Sequence, residues 1–320
     1  MTVSNNILIV SKTSRISRGY LICLAGTAIW STTGIFIRYL TVTYQIPPLV
    51  LAFWRDLSLS IFLVLLFWVV NRSLLHFDRK NLPFFILYGF TVAVFNSVWT
   101  FSVALNGAAV ATVLAYSSAA FTAVLGRWLF GEILGKAKII AVTLSLVGCV
   151  FVAGAYDVSA WKINPWGILT GLLSGLMFAI YSLMGKASSN KQINPWSALL
   201  FSFFIASMFL LLVNFLSAGF EGSLLPYDLG WLGAQWMGWL ILLILAVGPT
   251  LGGFGLYTVS LSYLPASVAN LIATLEPALT AVLAYFFLGE VLSVPQWMGA
   301  VLIILSVILL RMTDNLSAVD

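Results

Sequence analysis

Residues 108–134 read AAVATVLAYSSAAFTAVLGRWLFGEIL, and residues 266–292 read ASVANLIATLEPALTAVLAYFFLGEVL. Laid over one another without gaps, 12 of 27 positions are identical, with Thr122, Ala123, Val124 and Leu125 repeated at 280–283 and Gly131-Glu132 repeated at Gly289-Glu290. Shared apolar composition raises such a score, but it does not put a Gly-Glu pair at the same helix end twice. A weaker match joins 19–38 to 167–186, each ending in a cation, Arg38 or Lys186. The chain carries an internal duplication, and the duplicated unit decides the architecture.

The composition sets the class. Of 320 residues, 61% are hydrophobic and 8% charged, whereas soluble domains run near 45–50% apolar and about 25% charged. Long apolar runs of roughly 18 residues or more cross a ~30 Å hydrocarbon core as helices. A spanning chain satisfies its own backbone hydrogen bonds, which leaves helices or closed barrels. Stretches such as 61–70 and 301–310 lack the period-two alternation of barrel strands. The expectation is an all-α integral membrane protein with helices over 19–40, 49–70, 83–105, 108–130 and 138–154. A second set follows over 166–187, 196–217, 236–263, 266–288 and 295–311. Turn chemistry marks the breaks at Pro47-Pro48, Asn106-Gly107, Asn164-Pro165, Asn194-Pro195 and Pro265.

The net charge of +5 forms no stripe for a nucleic acid. The cations sit at the ends of apolar segments instead. With ten spans and the N-terminus inside, the cytoplasmic loops hold Lys12, Arg15, Arg18, Arg72, Arg79, Lys80, Arg127, Lys136, Lys138, Lys186, Lys191 and Arg311, leaving Arg38 and Lys162 outside. That asymmetry is the positive-inside pattern, and it predicts both termini in the cytoplasm of a cell (plasma or inner) membrane protein. The first helix is expected to be an uncleaved span, because no small-residue cleavage site follows a short apolar stretch. Cys23 and Cys149 both fall inside apolar segments and read as buried thiols, and His76 stands in a charged loop. No metal site, cofactor or clustered catalytic set is expected, so the chain does not read as an enzyme. It has no Walker A motif, so ATP is not expected to drive it directly.

The predicted layout is a cytoplasmic segment 1–18, a five-helix repeat over 19–154, a connector 155–165, a second repeat over 166–311 and a tail 312–320. Five is odd, so the second copy enters the membrane upside down. Two inverted five-helix repeats make a carrier architecture, because two similar halves exchange conformations around a site between them. The Gly-Glu pairs after small-residue helices, Glu276-Pro277 and the ten-span layout resemble the drug/metabolite transporter superfamily, EamA type, over about residues 19–311. The resemblance implies a central cavity and export of amino acids and related metabolites, or exchange of nucleotide sugars and sugar phosphates. The chain departs from exact repetition where Ser118-Ala119 stands opposite Glu276-Pro277. A non-transporting sensor or assembly subunit is the competing reading.

Charge inside a membrane costs about 2.5–3.5 kcal/mol or more, which singles out Arg55, Asp56 and Glu276. Glu276 lies about 15 Å into its helix at ~1.5 Å per residue, beside a proline that frees the Ala273 carbonyl. It reads either as part of a solute or proton site or as a carboxyl holding the bundle together. Arg55 reads as an anchor for carboxylate or phosphate, as a partner of Glu276, or as a snorkelling cation. Asp56 is turned about 100° away and is expected to pair on another helix rather than share an inward face with Arg55. Trp30, Trp54, Trp99, Tyr116, Tyr181 and Tyr257 are candidate cavity walls, and Asn96, Asn270 and Thr274 are candidate solute contacts. Gly248, Pro249, Gly252 and Gly253 crowd the eighth span and, with Pro277, are candidate hinges. Gly167, Gly171 and Gly175 form a small-residue packing stripe. Gly131-Glu132 and Gly289-Glu290 read as structural helix ends. The expected partners are a small-molecule substrate, the lipid bilayer and, as a coupling candidate, protons; no nucleic acid is expected. The sequence leaves the oligomeric state open.

Overall fold

Prolines open the helices and glycine closes the duplicated one. Pro48, Pro165 and Pro195 are the first residues of their helices, where the missing N–H is not needed and the fixed φ suits the turn. Gly131 ends its helix at φ +66°, with its own N–H on the Arg127 carbonyl at 3.0 Å and the Glu132 N–H on Gly126 at 3.2 Å. Only glycine takes that left-handed conformation without strain.

The computed structural model describes residues 2–106, 108–157, 165–220, 227–288 and 293–316. These residues are predominantly helical, with no strand among them. The helices are α1 (Thr2–Trp30), α2 (Thr33–Thr43), α3 (Pro48–Val70), α4 (Leu82–Asn106), α5 (Ala108–Tyr116), α6 (Ser118–Phe130) and α7 (Lys136–Val152), followed by α8 (Pro165–Asn190), α9 (Pro195–Phe220), α10 (Trp236–Leu245), α11 (Leu251–Ser260), α12 (Ala266–Ala273), α13 (Glu276–Leu288) and α14 (Val294–Leu316). Nine stretches among the described residues are long and apolar enough to cross a membrane. The tenth is α7, whose 17 residues still reach about 25 Å at ~1.5 Å per residue. Ten spans result, arranged as two inverted five-helix repeats. The segment before residue 19 is helical as well, because α1 begins at Thr2.

Four spans are interrupted. Span one breaks between α1 and α2, span four between α5 and α6, and span nine between α12 and α13. Span eight widens into a π turn over Ala246–Thr250 between α10 and α11. The sequence suggested bends in spans eight and nine; the breaks in spans one and four are additional.

Packing follows the duplication. Spans two and seven meet as α3 and α9, spans four and nine as α6 and α12, and spans five and ten as α7 and α14. The α1–α11 contact repeats in the α4–α8 contact under the same exchange of halves. The α7–α14 seam is the tightest kind: a Cβ on Gly148 would lie 2.8 Å from the Gly299 carbonyl, and one on Gly299 2.6 Å from that of Gly148. Small residues let backbones approach where lipid tails supply no hydrophobic drive between helices. Leu21, Val69, Ile140 and Val301 are exposed apolar side chains on the outer faces, while serines and threonines such as Ser31, Ser118, Ser182 and Thr274 are buried. That inside-out distribution suits hydrocarbon as the surrounding solvent.

Candidate functional site

The interruptions converge. Tyr116 ends α5 and Glu276 begins α13, and the Tyr116 hydroxyl donates a hydrogen bond to Glu276 Oε2. Glu276 remains half-buried. Pro277 falls at the second position of α13, so the span is split before it rather than merely kinked, and the Thr274 and Leu275 amides turn back to Leu271 and Ile272 at 3.2 and 3.0 Å. One turn beyond Glu276, Thr280 Oγ1 donates to the Ser31 carbonyl at 3.0 Å, which lies in the break of span one. Residues four apart share a helix face, so Glu276 and Thr280 both look toward that break. The Thr33 hydroxyl beside it is buried with no partner among the described residues.

A chain of buried hydroxyls and one amide ties the neighbouring spans. Ser118 donates to Asn270 Oδ1 at 3.0 Å, Asn270 Nδ2 donates to Ser182 at 3.0 Å, and Ser182 meets the Tyr257 hydroxyl at 2.6 Å. Tyr181 meets Thr258 at 3.0 Å, and Ser145 donates to Thr274 at 2.6 Å. Asn270 and Thr274 share span nine but serve different neighbours, Asn270 bridging spans four and six while Thr274, at the C-cap of α12, holds span five. Around this chain Trp30 packs on Phe254 at 4.2 Å and edge-on to Phe178 at 5.5 Å, and Phe178 stacks on Tyr181 at 6.0 Å and 10°.

Arg55 is elsewhere. Its Nε lies 3.1 Å from Asp56 Oδ1, its Nη2 donates to Asn96 Oδ1 at 3.0 Å, and Asn96 Nδ2 closes the ring on Asp56 Oδ2 at 2.9 Å. Asp56 does pair on another helix, through Asn96 of α4, but it also meets Arg55, where the sequence reading set the two on separate faces. Their Cβ atoms do diverge by about 100°, but a side chain as long as arginine folds back across that angle. The guanidinium pairs with Asp56 and Asn96 instead of Glu276, and at 8% exposure it does not snorkel. Trp54 also stands apart: its Nε1 donates to the Leu229 carbonyl at 2.7 Å, and its ring meets Trp239 edge-on at 4.9 Å. It borders the smaller core formed by Leu40, Ile46, Val50, Leu51, Leu232, Leu242 and Leu245. Trp99 is half-buried on α4.

The candidate hinge divides. Nothing lies within 4 Å of a Cβ built on Gly248, whereas one on Gly252 would meet Ile29 at 3.0 Å and one on Gly253 would meet Trp30 at 2.8 Å. Gly252 and Gly253 therefore make room for α1. Pro249 is inside the π turn, and Thr250 Oγ1 donates to the Leu245 carbonyl at 2.8 Å, whose α-helical donor position is taken by Pro249, which has no N–H.

At the end of the bundle carrying Arg15, Lys138, Lys186 and Arg311, the halves are clasped. Glu132 accepts from the Ala266 N–H at 2.8 Å and the Ser267 N–H at 3.3 Å, and also from the Ser267 hydroxyl. A carboxylate at a helix N-terminus answers the orphan amides and the dipole. Lys138 donates to Ser267 at 3.0 Å, and Lys186 holds the Leu261 and Leu264 carbonyls at 2.9 and 3.0 Å, facing the C-terminus of α11. Glu132 caps a helix of the opposite repeat, which spacing along one segment does not reveal. Gly289-Glu290 lies outside the described residues. Ser118, Ser145, Ser182, Thr280 and Phe178 were not singled out as site residues from the sequence; Ser118 alone carried a signal, as the position repeating Glu276.

The EamA-like transporter family matches residues 17–154 and again residues 165–312. "Uncharacterized transporter YwfM" of Bacillus subtilis is 28% identical over 298 residues, covering 91% of this chain and 92% of its own. An "Uncharacterized transporter" of Archaeoglobus fulgidus is 27% identical over 227 residues, 70% of this chain and 75% of its own. A solved structure described as "Crystal structure of protein" superimposes with a TM-score of 0.76 at 17% identity, over 93% of this chain and 97% of that one, a likeness of fold. With both repeats matched by one family, the chain belongs to the EamA-like transporter family.

Proposed function

We propose that this chain is a secondary carrier moving small, amino-acid-like metabolites outward across the cytoplasmic membrane by alternating access, with both termini in the cytoplasm. The observation that carries the reading is the meeting of Glu276 and Tyr116 where interrupted spans four and nine come together. Broken helices near the membrane middle supply backbone and side-chain groups to a solute without exposing them to lipid. Glu276 offers a carboxylate to an ammonium group or a proton, the unpaired Thr33 hydroxyl is a further polar contact, and Trp30 belongs to the adjacent aromatic wall. The geometry gives exchange of phosphorylated metabolites no anchor at Arg55, which is paired with Asp56 and hydrogen-bonded to Asn96. The clasp of Glu132 and Lys138 on Ala266 and Ser267 lies at the end that the positive-inside pattern assigns to the cytoplasm, and its release is the step that would open the site inward.

Counterflow in proteoliposomes tests the reading. Vesicles loaded with unlabelled amino acids, nucleosides or sugars are expected to accumulate the labelled counterpart of one class, the amino acids. Accumulation of sugar phosphates alone would replace the substrate assignment, and no accumulation by folded protein across the panel would count against a carrier.

A further inference from the structure

At the clasped end, Ser14, Arg15, Arg18 and Tyr263 line a cavity of about 490 Å³. The Arg15 and Arg18 guanidinium carbons lie 5.9 and 5.7 Å from the centroid of the same Tyr263 ring, so two cations converge on one aromatic ring. Both arginines are exposed, and no carboxylate pairs with either among the described residues. Glu132 at this end is occupied by Ala266, Ser267 and Lys138. A third cation, Arg311, stands over Tyr20 at 4.6 Å and donates to Ser17 on the same helix. Two like charges brought together with no carboxylate partner among the described residues favour an anion between them.

Depth narrows the ligand. Leu21 is 67% exposed, an apolar side chain facing lipid, and Arg18 and Arg15 lie one and two turns outward, about 4.5 and 9 Å along the axis at ~1.5 Å per residue. That spacing carries the guanidinium groups from hydrocarbon into the headgroup layer. Arginine matches phosphate in bidentate geometry, and the cleft opens to the surface.

We propose that Ser14, Arg15, Arg18 and Tyr263 form a binding site for an anionic phosphate group, that of an acidic phospholipid headgroup. Tyr263 precedes Leu264, which Lys186 holds, and Ala266, which Glu132 caps, so the occupant braces the joint between spans eight and nine. The site stands on its own observations and is independent of the carried solute.

Thermal unfolding of the detergent-purified full chain is followed with added short-chain phosphatidylglycerol, phosphatidylcholine or inorganic phosphate. Phosphatidylglycerol is expected to raise the midpoint saturably and phosphatidylcholine to leave it unmoved. Arg15→Gln or Arg18→Gln alone is expected to weaken the apparent affinity about five-fold, and the pair roughly thirty-fold. The charge-keeping Arg15→Lys/Arg18→Lys variant retains most of the response, which separates loss of the site from loss of the fold. An equal, arginine-dependent response to inorganic phosphate would support the site and assign it to free anion. Undiminished phosphatidylglycerol binding by the double glutamine variant, or an equal response to phosphatidylcholine, would overturn the proposal.

Discussion

Arg55 and Glu276 are both charged residues inside spans, and their surroundings separate their roles. Arg55, Asp56 and Asn96 satisfy one another in a buried ring. Removing one member leaves the others unpaired in a low-dielectric interior, a loss of about 3–5 kcal/mol for a buried ion pair. Asp56→Ala is expected to lower the unfolding midpoint sharply, and Arg55→Met combined with Asp56→Leu to recover most of it, by tryptophan fluorescence in detergent. A single variant as stable as the parent would show that the ring does not hold the bundle. Glu276 has Tyr116 as a partner and remains half-buried, which leaves room for a solute or proton. Glu276→Gln keeps an acceptor for Tyr116 and removes the titrating group, so the variant is expected to fold and to lose the pH dependence of counterflow. Persistent pH dependence would move proton coupling to another residue. Both residues were visible in the sequence as charge in apolar runs. Their partners were not, because a side chain's reach depends on which helix lies opposite.

Among elements, the interrupted spans and the glycines beside them set what can move. On α8, a Cβ at Gly175 would lie 2.3 Å from Ser117 Oγ and 2.9 Å from the Leu114 carbonyl, at the break of span four. Gly175→Val forces α8 away from that break and is expected to cost about 1–3 kcal/mol, the usual penalty of overpacking, read as a lower midpoint in thermal unfolding. Gly248, in the π turn, has open space around it. Gly248→Ala is expected to leave stability unchanged or slightly higher, since alanine favours helix by about 1 kcal/mol over glycine, while slowing counterflow by stiffening the turn. Equal effects of the two substitutions on stability would remove the distinction between packing and hinge glycines. The clustered glycines and Pro277 announced irregularity in spans eight and nine. Ser31-Thr32 and Ser117 carry no proline or glycine, so the breaks they form went unannounced and are stabilised by contacts from other spans, such as Thr280 on Ser31.

For the whole molecule, the two halves are interlaced. Spans two and seven, four and nine, and five and ten pair across the duplication, and Glu132 of the first repeat caps α12 of the second. Residues 1–157 expressed alone therefore leave the faces of α3, α6 and α7 without partners. That half is expected to be degraded or aggregated by itself and to be recovered as a folded complex when 158–320 is expressed alongside, measured by co-purification from membranes. A stable, monodisperse first half would show that each repeat folds independently.

The membrane class, the ten spans, the duplication and its inversion follow from the sequence alone. Each rests on local or additive properties: apolar length against bilayer thickness, the count of helices per copy, and identity between aligned segments. The pairing of Arg55 with Asp56, the capping of α12 by Glu132 and the meeting of Tyr116 with Glu276 were decided by tertiary structure. Those contacts join residues as far as 160 positions apart, or depend on a side-chain rotamer, and neither periodicity nor composition carries that information.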